Sequence, residues 1–398
     1  MAYKIVSLFS GCGGLDLGFS GGFDFLGRRF ARLDTDIVFA NDYDNDACVC
    51  YNANIPALDN SAECFFDDIR DIESSEIPDF DILLAGFPCQ PFSNAGNRKG
   101  VCDNNGRGVL FEECERIIRD KSENGMRPKA FLFENVKGIM SSKMPDGETT
   151  VPHEITRRMG LLGYDVGMRV VCSSDYGVPQ KRYRLLIIGI DKSLGKGCFD
   201  FGIMDDVVSE YGIPSTLSGN DEELLLGYVL KDAGGASDND VWEFSPATQR
   251  TVELIGGCEH GRDAIGLFRN GYSKKDLPDI VFKGKSWKDI PYEMLSERFR
   301  KIADNPVKYH SPKFFRRFAF GEINGTITAS AQPENCGVTH PVENRRYSVR
   351  EVARIQSFPD TFRFGSIPLK SRYKVIGNAV PPVMAWVVAN SLLRFLSE

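Results

Sequence analysis

Asp81-Ile82-Leu83-Leu84-Ala85-Gly86-Phe87-Pro88-Cys89-Gln90-Pro91-Phe92-Ser93 is the stretch from which the rest of the chain is read. The apolar run Ile82 to Ala85 is too short for a helix. Bounded by Pro78 and Gly86, it reads as a buried strand. Pro88 fixes its own φ and restricts Phe87, and Pro91 stiffens the chain two residues past Cys89. A thiol held in a stiff loop just beyond a strand end is placed as a nucleophile would be. A small packed cysteine is the alternative, although such residues more often sit inside the apolar run.

On the N-terminal side, Lys4 to Phe9 reads as a strand entering the glycine-rich turn Ser10-Gly11-Cys12-Gly13-Gly14, with a helix beginning at Leu15. Glycines let such a turn approach a ligand closely, and the helix beyond supplies free N–H groups. The turn lacks the full G-x-G-x-x-G spacing that cradles a pyrophosphate, so it suits a nucleoside without phosphates at least as well. Ile37 to Asp42 reads as a second strand ending in a carboxylate, a position that suits ribose hydroxyls in Rossmann-like folds. A third strand end falls near Phe65 to Ile69. There Asp68 is either an acceptor for an adenine amine or the cap of the next helix.

On the C-terminal side, Asn94 to Gly108 is polar and glycine-rich and reads as a loop beside the cysteine, a candidate lid. Lys129 to Val136 is a further strand, carrying Glu134 near its end. Val170 to Cys172 and Arg184 to Ile190 supply two more, with Gln180-Lys181-Arg182-Tyr183-Arg184 between them. Strands alternating with helical patterns to about residue 190 predict an α/β domain with a mainly parallel sheet. From 191 to 346 the alternation stops and a different, irregular unit is expected. Helical patterning returns at Ser348 to Gln356, and a last helix is expected from Pro381-Pro382 onward.

With 398 residues, 42% hydrophobic and 26% charged, the composition is that of a globular protein large enough for more than one domain. Eleven cysteines and no signal-peptide pattern predict free thiols in a reducing cytoplasm. The formal charge of −7 argues weakly against nucleic acid, but the charge is segregated. Residues 191–261 hold 4 Lys/Arg against 14 Asp/Glu, whereas 262–346 hold 16 against 10. The second stretch, with Lys274, Lys275, Lys313, Arg316 and Arg317, is therefore the candidate basic face. Cys258, His260, Cys336 and His340 have poor spacing for zinc, and no metal site is expected.

A strand-end cysteine, a strand-end glutamate and an arginine pair would converge at the carboxyl edge of one sheet. In their order along the chain, six segments resemble the motifs of DNA cytosine-5 methyltransferases. They are Phe9-Ser10-Gly11-Cys12-Gly13-Gly14, Gly86-Phe87-Pro88-Cys89-Gln90, Glu134-Asn135-Val136, Gln180-Lys181-Arg182-Tyr183-Arg184, Arg350 to Asp360, and Gly377-Asn378-Ala379-Val380-Pro381-Pro382. The resemblance implies a Rossmann-like S-adenosylmethionine-dependent methyltransferase domain over 1–190. It further implies a target-recognition domain over 191–346 and a C-terminal segment, 347–398, that returns to the first domain.

By that resemblance Cys89 is the nucleophile that adds to carbon 6 of cytosine. A free thiol near pKa 8.5 is only a few per cent thiolate at neutral pH, so the cations Arg182 and Arg184 would assist it. Arg184 would also contact the base carbonyl, and Glu134 the ring nitrogen and exocyclic amine. Phe9, Gly11 and Gly13 would line the cofactor turn, Asp42 the ribose, Asp68 and Ile69 the adenine, and Pro88 and Asn378 the methionine end. Asp42 stands where the family usually has the longer glutamate. The implied partner is double-stranded DNA with the target base flipped out, with no membrane and a monomeric enzyme. A bacterial restriction–modification role is also implied, in which a cognate endonuclease acts on the same site without binding this chain. The rival readings are an RNA-directed enzyme of the same chemistry, a nucleic-acid-binding protein without turnover, and a nucleotide-dependent oxidoreductase. The unsuitable phosphate loop disfavours the last of these.

Overall fold

The computed structural model describes residues 2–59, 62–87, 110–144, 146–219, 221–235, 237–259, 266–267, 270, 274–305 and 313–398. Pro88, Cys89, the expected lid at 94–108 and His260 lie outside them.

The first strand, β1 (Tyr3–Leu8), leads into helix α1 (Gly14–Ser20). A short hairpin follows, β2 (Phe23–Phe25) and β3 (Arg28–Phe30), which the sequence pattern did not reveal. Then come β4 (Thr35–Asp42), α2 (Asn45–Asn52), α3 (Ile55–Asp59), β5 (Cys64–Phe66) and β6 (Ile82–Ala85). The remainder of the first unit is α4 (Phe111–Glu123), β7 (Ala130–Val136), α5 (Val151–Leu161), β8 (Tyr164–Cys172), β9 (Gln180–Lys181) and β10 (Tyr183–Asp191).

Seven strands form one sheet in the order β5-β4-β1-β6-β7-β10-β8. Pairing is parallel from β5 through to β7, and β10 runs antiparallel to both β7 and β8. The mainly parallel Rossmann-like sheet expected from the sequence is therefore present. Its centre shows why the short apolar runs are strands. Ile82 and Leu84 of β6 enter one hydrophobic core, while Leu83 and Ala85 enter the other. A strand buried on both faces has no polar alternation, which is how β6 reads.

One face of the sheet is covered by α4 and α5. The other carries α1 and the C-terminal helix Pro382–Ser397, which pack closely enough to require glycine. A Cβ on Gly18 would lie 2.3 Å from the Ala385 Cβ and 2.6 Å from the Trp386 nitrogen; one on Gly14 would lie 2.3 Å from the Val380 oxygen. This contact returns the C-terminal segment to the first turn of the chain. Among the described residues one run, Leu369–Ser397, is long and apolar enough to cross a membrane, and 83% of its apolar window is buried inside the protein.

Beyond residue 190, Phe199, Met204, Val207, Val208 and Ile213 pack into the same core as α1 and the C-terminal helix, and so do Leu226, Val229 and Phe318. A separate small core gathers Ile255, Trp287, Ile290, Leu295, Phe299, Phe314 and Phe315. Apart from the helices Pro246–Ile255 and Glu297–Ala303, that region is built of two-residue strands and short turns, which explains its unreadable pattern. It is tied back where Asn324 and Gly325 pair in parallel with Gln180 and Lys181 of β9.

Candidate active site

The carboxyl edge of the sheet gathers the ends of β1, β4, β6 and β7, and β10 begins there because it runs the opposite way. Register sets Leu186 against Glu134 and Arg184 against Val136. The Nε of Arg184 lies 2.7 Å from Oε1 of Glu134, and both side chains are about nine-tenths buried. The contact is ionic without an aligned N–H, so among the described residues Oε1 has no hydrogen-bond donor. A carboxylate oxygen paired in charge yet open for hydrogen bonding can still receive N–H groups of a ligand. The guanidinium is steadied separately, donating to the Tyr183 carbonyl at 2.8 Å.

The base of the cysteine loop enters this corner. A Cβ on Gly86 would lie 3.9 Å from Oε2 of Glu134 and 3.8 Å from the Phe9 carbonyl oxygen. The Asn135 amide donates to the Phe87 carbonyl at 3.3 Å, fixing the chain just before Pro88. Glu134, Arg184, Phe87 and the Phe9 turn thus share one corner. Asn135 was not singled out by sequence reasoning; its only signal was its place beside Glu134.

Arg182 is used differently from Arg184. It is 1% exposed, and its guanidinium donates to the carbonyls of Ile327 at 2.9 Å, Ala379 at 3.2 Å and Asn378 at 3.4 Å. It ties β10 to the region after β9's partner strand and to the C-terminal segment. The sequence reading also places Arg182 beside the Cys89 thiol, which lies outside the described residues.

The candidate cofactor residues fall at the neighbouring strand ends. Phe9 and Gly11 both hold positive φ, 56° and 58°, and Gly13 has φ 85°. Phe9 is not glycine, so its conformation costs about 1–3 kcal/mol and must be held by its surroundings. Asp42 closes the turn: its Oδ2 accepts from the Gly11 N–H and its Oδ1 from the Asp44 N–H, both at 2.8 Å. Burial pushes the Asp42 carboxyl up from its ordinary value, and those two N–H groups pull it partly back. Each oxygen keeps a lone pair for a hydroxyl, which fits a ribose diol.

Asp68 behaves as the cap that its sequence position also allowed. It accepts from the Arg70 backbone N–H at 3.0 Å and pairs with the Arg70 guanidinium, which holds its carboxyl below the usual range. Ile69 is buried behind it. Sequence reasoning missed two exposed aromatics in this neighbourhood. Tyr43, directly after the strand-end carboxylate, is 72% exposed, and Phe66 is 57% exposed, their rings 6.2 Å apart. An aromatic next to a strand-end acid was the available signal. Asn378 is exposed at the end of the helix Leu369–Asn378.

Of the candidate basic face, Arg317 is buried and donates to the Val342 and Val252 carbonyls and to Asn344. It is a structural pin and not a surface cation. Arg316 pairs with Glu322 and stacks over Phe318 at 4.2 Å. Lys275 is exposed. Lys313 lies at the seam, its Nζ 2.6 Å from Thr326 Oγ1, which in turn donates to the Lys181 carbonyl. Burial, with Arg182 and Arg184 nearby, pushes its ammonium down to about 8. Cys258 and Cys336 are buried, and the His340 Nδ1 accepts from the Val342 and Glu343 N–H groups. No group of three potential metal ligands occurs among the described residues.

Comparison with known proteins gives the family. The family model for C-5 cytosine-specific DNA methylase matches residues 3–394. Type II methyltransferase M.FnuDI of Fusobacterium nucleatum is 31% identical, over 99% of this chain and 95% of that protein. Type II methyltransferase M.BanI of Aneurinibacillus aneurinilyticus is 32% identical, over 96% of this chain and 93% of that protein. Among solved structures, the S. pombe Dnmt2 methyltransferase shares the fold at a TM-score of 0.54 and 17% identity, over 98% of this chain and 99% of the other.

Proposed function

Because the chain belongs to the C-5 cytosine-specific DNA methylase family, and is on that ground a DNA cytosine-5 methyltransferase, we propose that it acts through a covalent bond between Cys89 and carbon 6 of a flipped-out cytosine. The observation that carries this reading is the shared corner of Glu134, Arg184, the Phe87 end of the cysteine loop and the Phe9 turn. A nucleophile, a base-holding carboxylate and a methyl donor must meet within one base's width, and that corner offers the place.

The Cys89 thiolate adds to carbon 6, and the ring's electron pair shifts to carbon 5. Glu134 accepts from the exocyclic amine and shares a proton with the ring nitrogen, and Arg184 holds both Glu134 and the base carbonyl. S-adenosylmethionine supplies an electrophilic methyl group and leaves as a neutral thioether. Carbon 5 takes the methyl group, loses its proton to a base or to water, and the thiolate is expelled as the carbon 5–carbon 6 double bond re-forms. Adding at carbon 6 turns an unreactive aromatic carbon into an enamine-like nucleophile.

The strand-end residues fit the cofactor. Asp42 offers lone pairs to the ribose, Tyr43 and Phe66 offer ring faces beside Asp68 and Ile69, and Phe9, Gly11 and Gly13 form the floor. Pro88 and Asn378 border the methionine end in this reading. Arg182 is a positioning residue that holds the Asn378 segment in place. The target base is out of reach inside a duplex, so it is flipped out at a cost of a few kcal/mol. Lys275 and Lys313 contribute to the phosphate-binding face. The biological role is protection of a host's DNA from a cognate restriction endonuclease, in the cytoplasm, by a monomer.

The test is transfer of a labelled methyl group from S-adenosylmethionine to duplex DNA and, in parallel, to RNA, followed by bisulfite sequencing of the product. Methylcytosine at one recurring DNA sequence is expected. Transfer to RNA alone would reassign the substrate, and no transfer to either would overturn the reading.

A further inference from the structure

A buried carboxylate stands under the cofactor turn and takes no part in the chemistry above. Asp16, in α1, is fully buried. Its Oδ2 accepts from the Ser7 hydroxyl at 3.0 Å and its Oδ1 from the Tyr51 hydroxyl at 3.1 Å. Ser7 has given its proton to Asp16, so its oxygen is open to the Ser10 hydroxyl, 3.0 Å away, which also reaches the Ser7 carbonyl at 3.0 Å and the Asn41 carbonyl at 3.3 Å. The Ser10 oxygen in turn lies 3.3 Å from the Asn41 N–H, which donates to it. Hydrogen bonds thus link Asn41, Ser10, Ser7 and Asp16 in one buried cluster. An ionised carboxylate can only accept, so it fixes the direction of the Ser7 hydroxyl and keeps the Ser7 oxygen open to Ser10.

The residues so fixed are the ones that shape the cofactor pocket. Ser10 lies between Phe9 and Gly11, both at positive φ, and Asn41 precedes Asp42, which accepts from Gly11. A non-glycine residue in the left-handed region persists only where its surroundings hold it there. A helix residue needed only for packing would be apolar, because burying a carboxylate is costly. We propose that Asp16 is a positioning residue of the cofactor pocket, holding the Phe9–Gly11 turn to the end of β4 through Ser7, Ser10 and Asn41.

Burial raises the Asp16 carboxyl to about 6, with Ser7 and Tyr51 lowering it in part. The titratable groups around it are Tyr51 from α2, the Cys64 thiol from β5 and Asp42 at the end of β4. Neighbouring thiols and burial push the Cys64 and Cys12 thiols up, away from weak acid, and burial raises the Asp42 carboxyl as it raises that of Asp16. Once protonated, Asp16 no longer has to accept from Ser7, and the Ser7 hydroxyl loses its fixed direction.

The inference rests on the reading that this turn holds S-adenosylmethionine, and binding of that cofactor and of S-adenosylhomocysteine to the full-length protein without DNA tests it. Asp16→Ala is expected to weaken cofactor binding about tenfold or more, while DNA affinity without cofactor changes less than about twofold. Asp16→Asn keeps an acceptor for Ser7 and is expected within about threefold of wild type at pH 7.5. Wild-type affinity should fall as the pH drops through about 6, whereas Asp16→Asn should be flatter there. Unchanged cofactor affinity in folded Asp16→Ala would overturn the inference. If Asp16→Ala does not fold, identical pH profiles for wild type and Asp16→Asn would do the same. A wild-type protein that binds no cofactor would instead sink the cofactor reading itself.

Discussion

Replacing Arg182 by methionine separates a positioning arginine from a catalytic one. Methionine fills much of the space and removes every donor. The Ile327 carbonyl, on a residue with no exposure, loses the guanidinium donor at 2.9 Å, and a buried carbonyl left unpaired costs about 1–3 kcal/mol. The Ala379 carbonyl keeps the Gln356 amide at 2.6 Å, so only the net worth of one charge-assisted bond is lost there, about 1.5–3 kcal/mol. The bond to Asn378 is long, at 3.4 Å, and adds little. The expected loss is about 3–5 kcal/mol, a large share of the 5–15 kcal/mol typical of a folded domain. Urea denaturation in the cold should show a clearly lower midpoint with an unchanged slope. Because the same guanidinium holds the Asn378 segment, KM for the cofactor should rise while kcat at saturating cofactor falls far less. The reasoning is refuted if Arg182→Met keeps wild-type stability and cofactor affinity but loses kcat by a factor of about a thousand, the scale of losing a catalytic group.

Three further perturbations address other parts of the molecule. Glu134→Gln, which keeps the shape but not the charge facing Arg184, should lower kcat by roughly 10²–10³ with KM for the cofactor within about twofold, read by steady-state methyl transfer. Lys313→Met should reduce the slope of log DNA affinity against log salt by about 0.9. Wild-type DNA affinity should weaken as pH rises through about 8, because the ammonium loses its proton there, and Lys313→Met should lack that step. Gly18→Ala places a methyl group against the Ala385 Cβ and the Trp386 nitrogen, so despite a better helix propensity it should destabilise the protein by about 2–3 kcal/mol in denaturant titration.

The strands and the strand-end residues were legible because their signals are local. Ile82 to Ala85 between Pro78 and Gly86, or Phe131 to Phe133 before Glu134, states its burial in four or five letters. The hairpin Phe23–Phe30 was not legible, since its three-residue strands are pinned by stacking of Phe23 on Phe30 and by Trp386 from the far end of the chain. Arg182 and Arg184 stand two residues apart in one motif, and no local pattern tells which will meet Glu134 and which will hold carbonyls from 145 or more residues away. Asp16 between Leu15 and Leu17 looks like an ordinary polar helix residue; its burial depends on Tyr51 and Ser7 folding over it. The 191–346 region was least readable because side-chain pins such as Arg317 and Arg346 do the work of regular strands there.

The central claim is that Cys89 forms a covalent bond to a cytosine brought against Glu134 and Arg184. Duplex DNA carrying 5-fluorocytosine tests it directly, because fluorine at carbon 5 cannot leave as the proton does and the bond to carbon 6 stays closed. The measurement is a denaturing gel of the protein mixed with that DNA and S-adenosylmethionine, with random flanking sequence so that the recognised site is present. A DNA–protein adduct that resists denaturation, maps by peptide mass to Cys89 and is absent in Cys89→Ala is the predicted result. Methyl transfer to ordinary DNA with no such adduct, or an adduct that persists in Cys89→Ala, would contradict it.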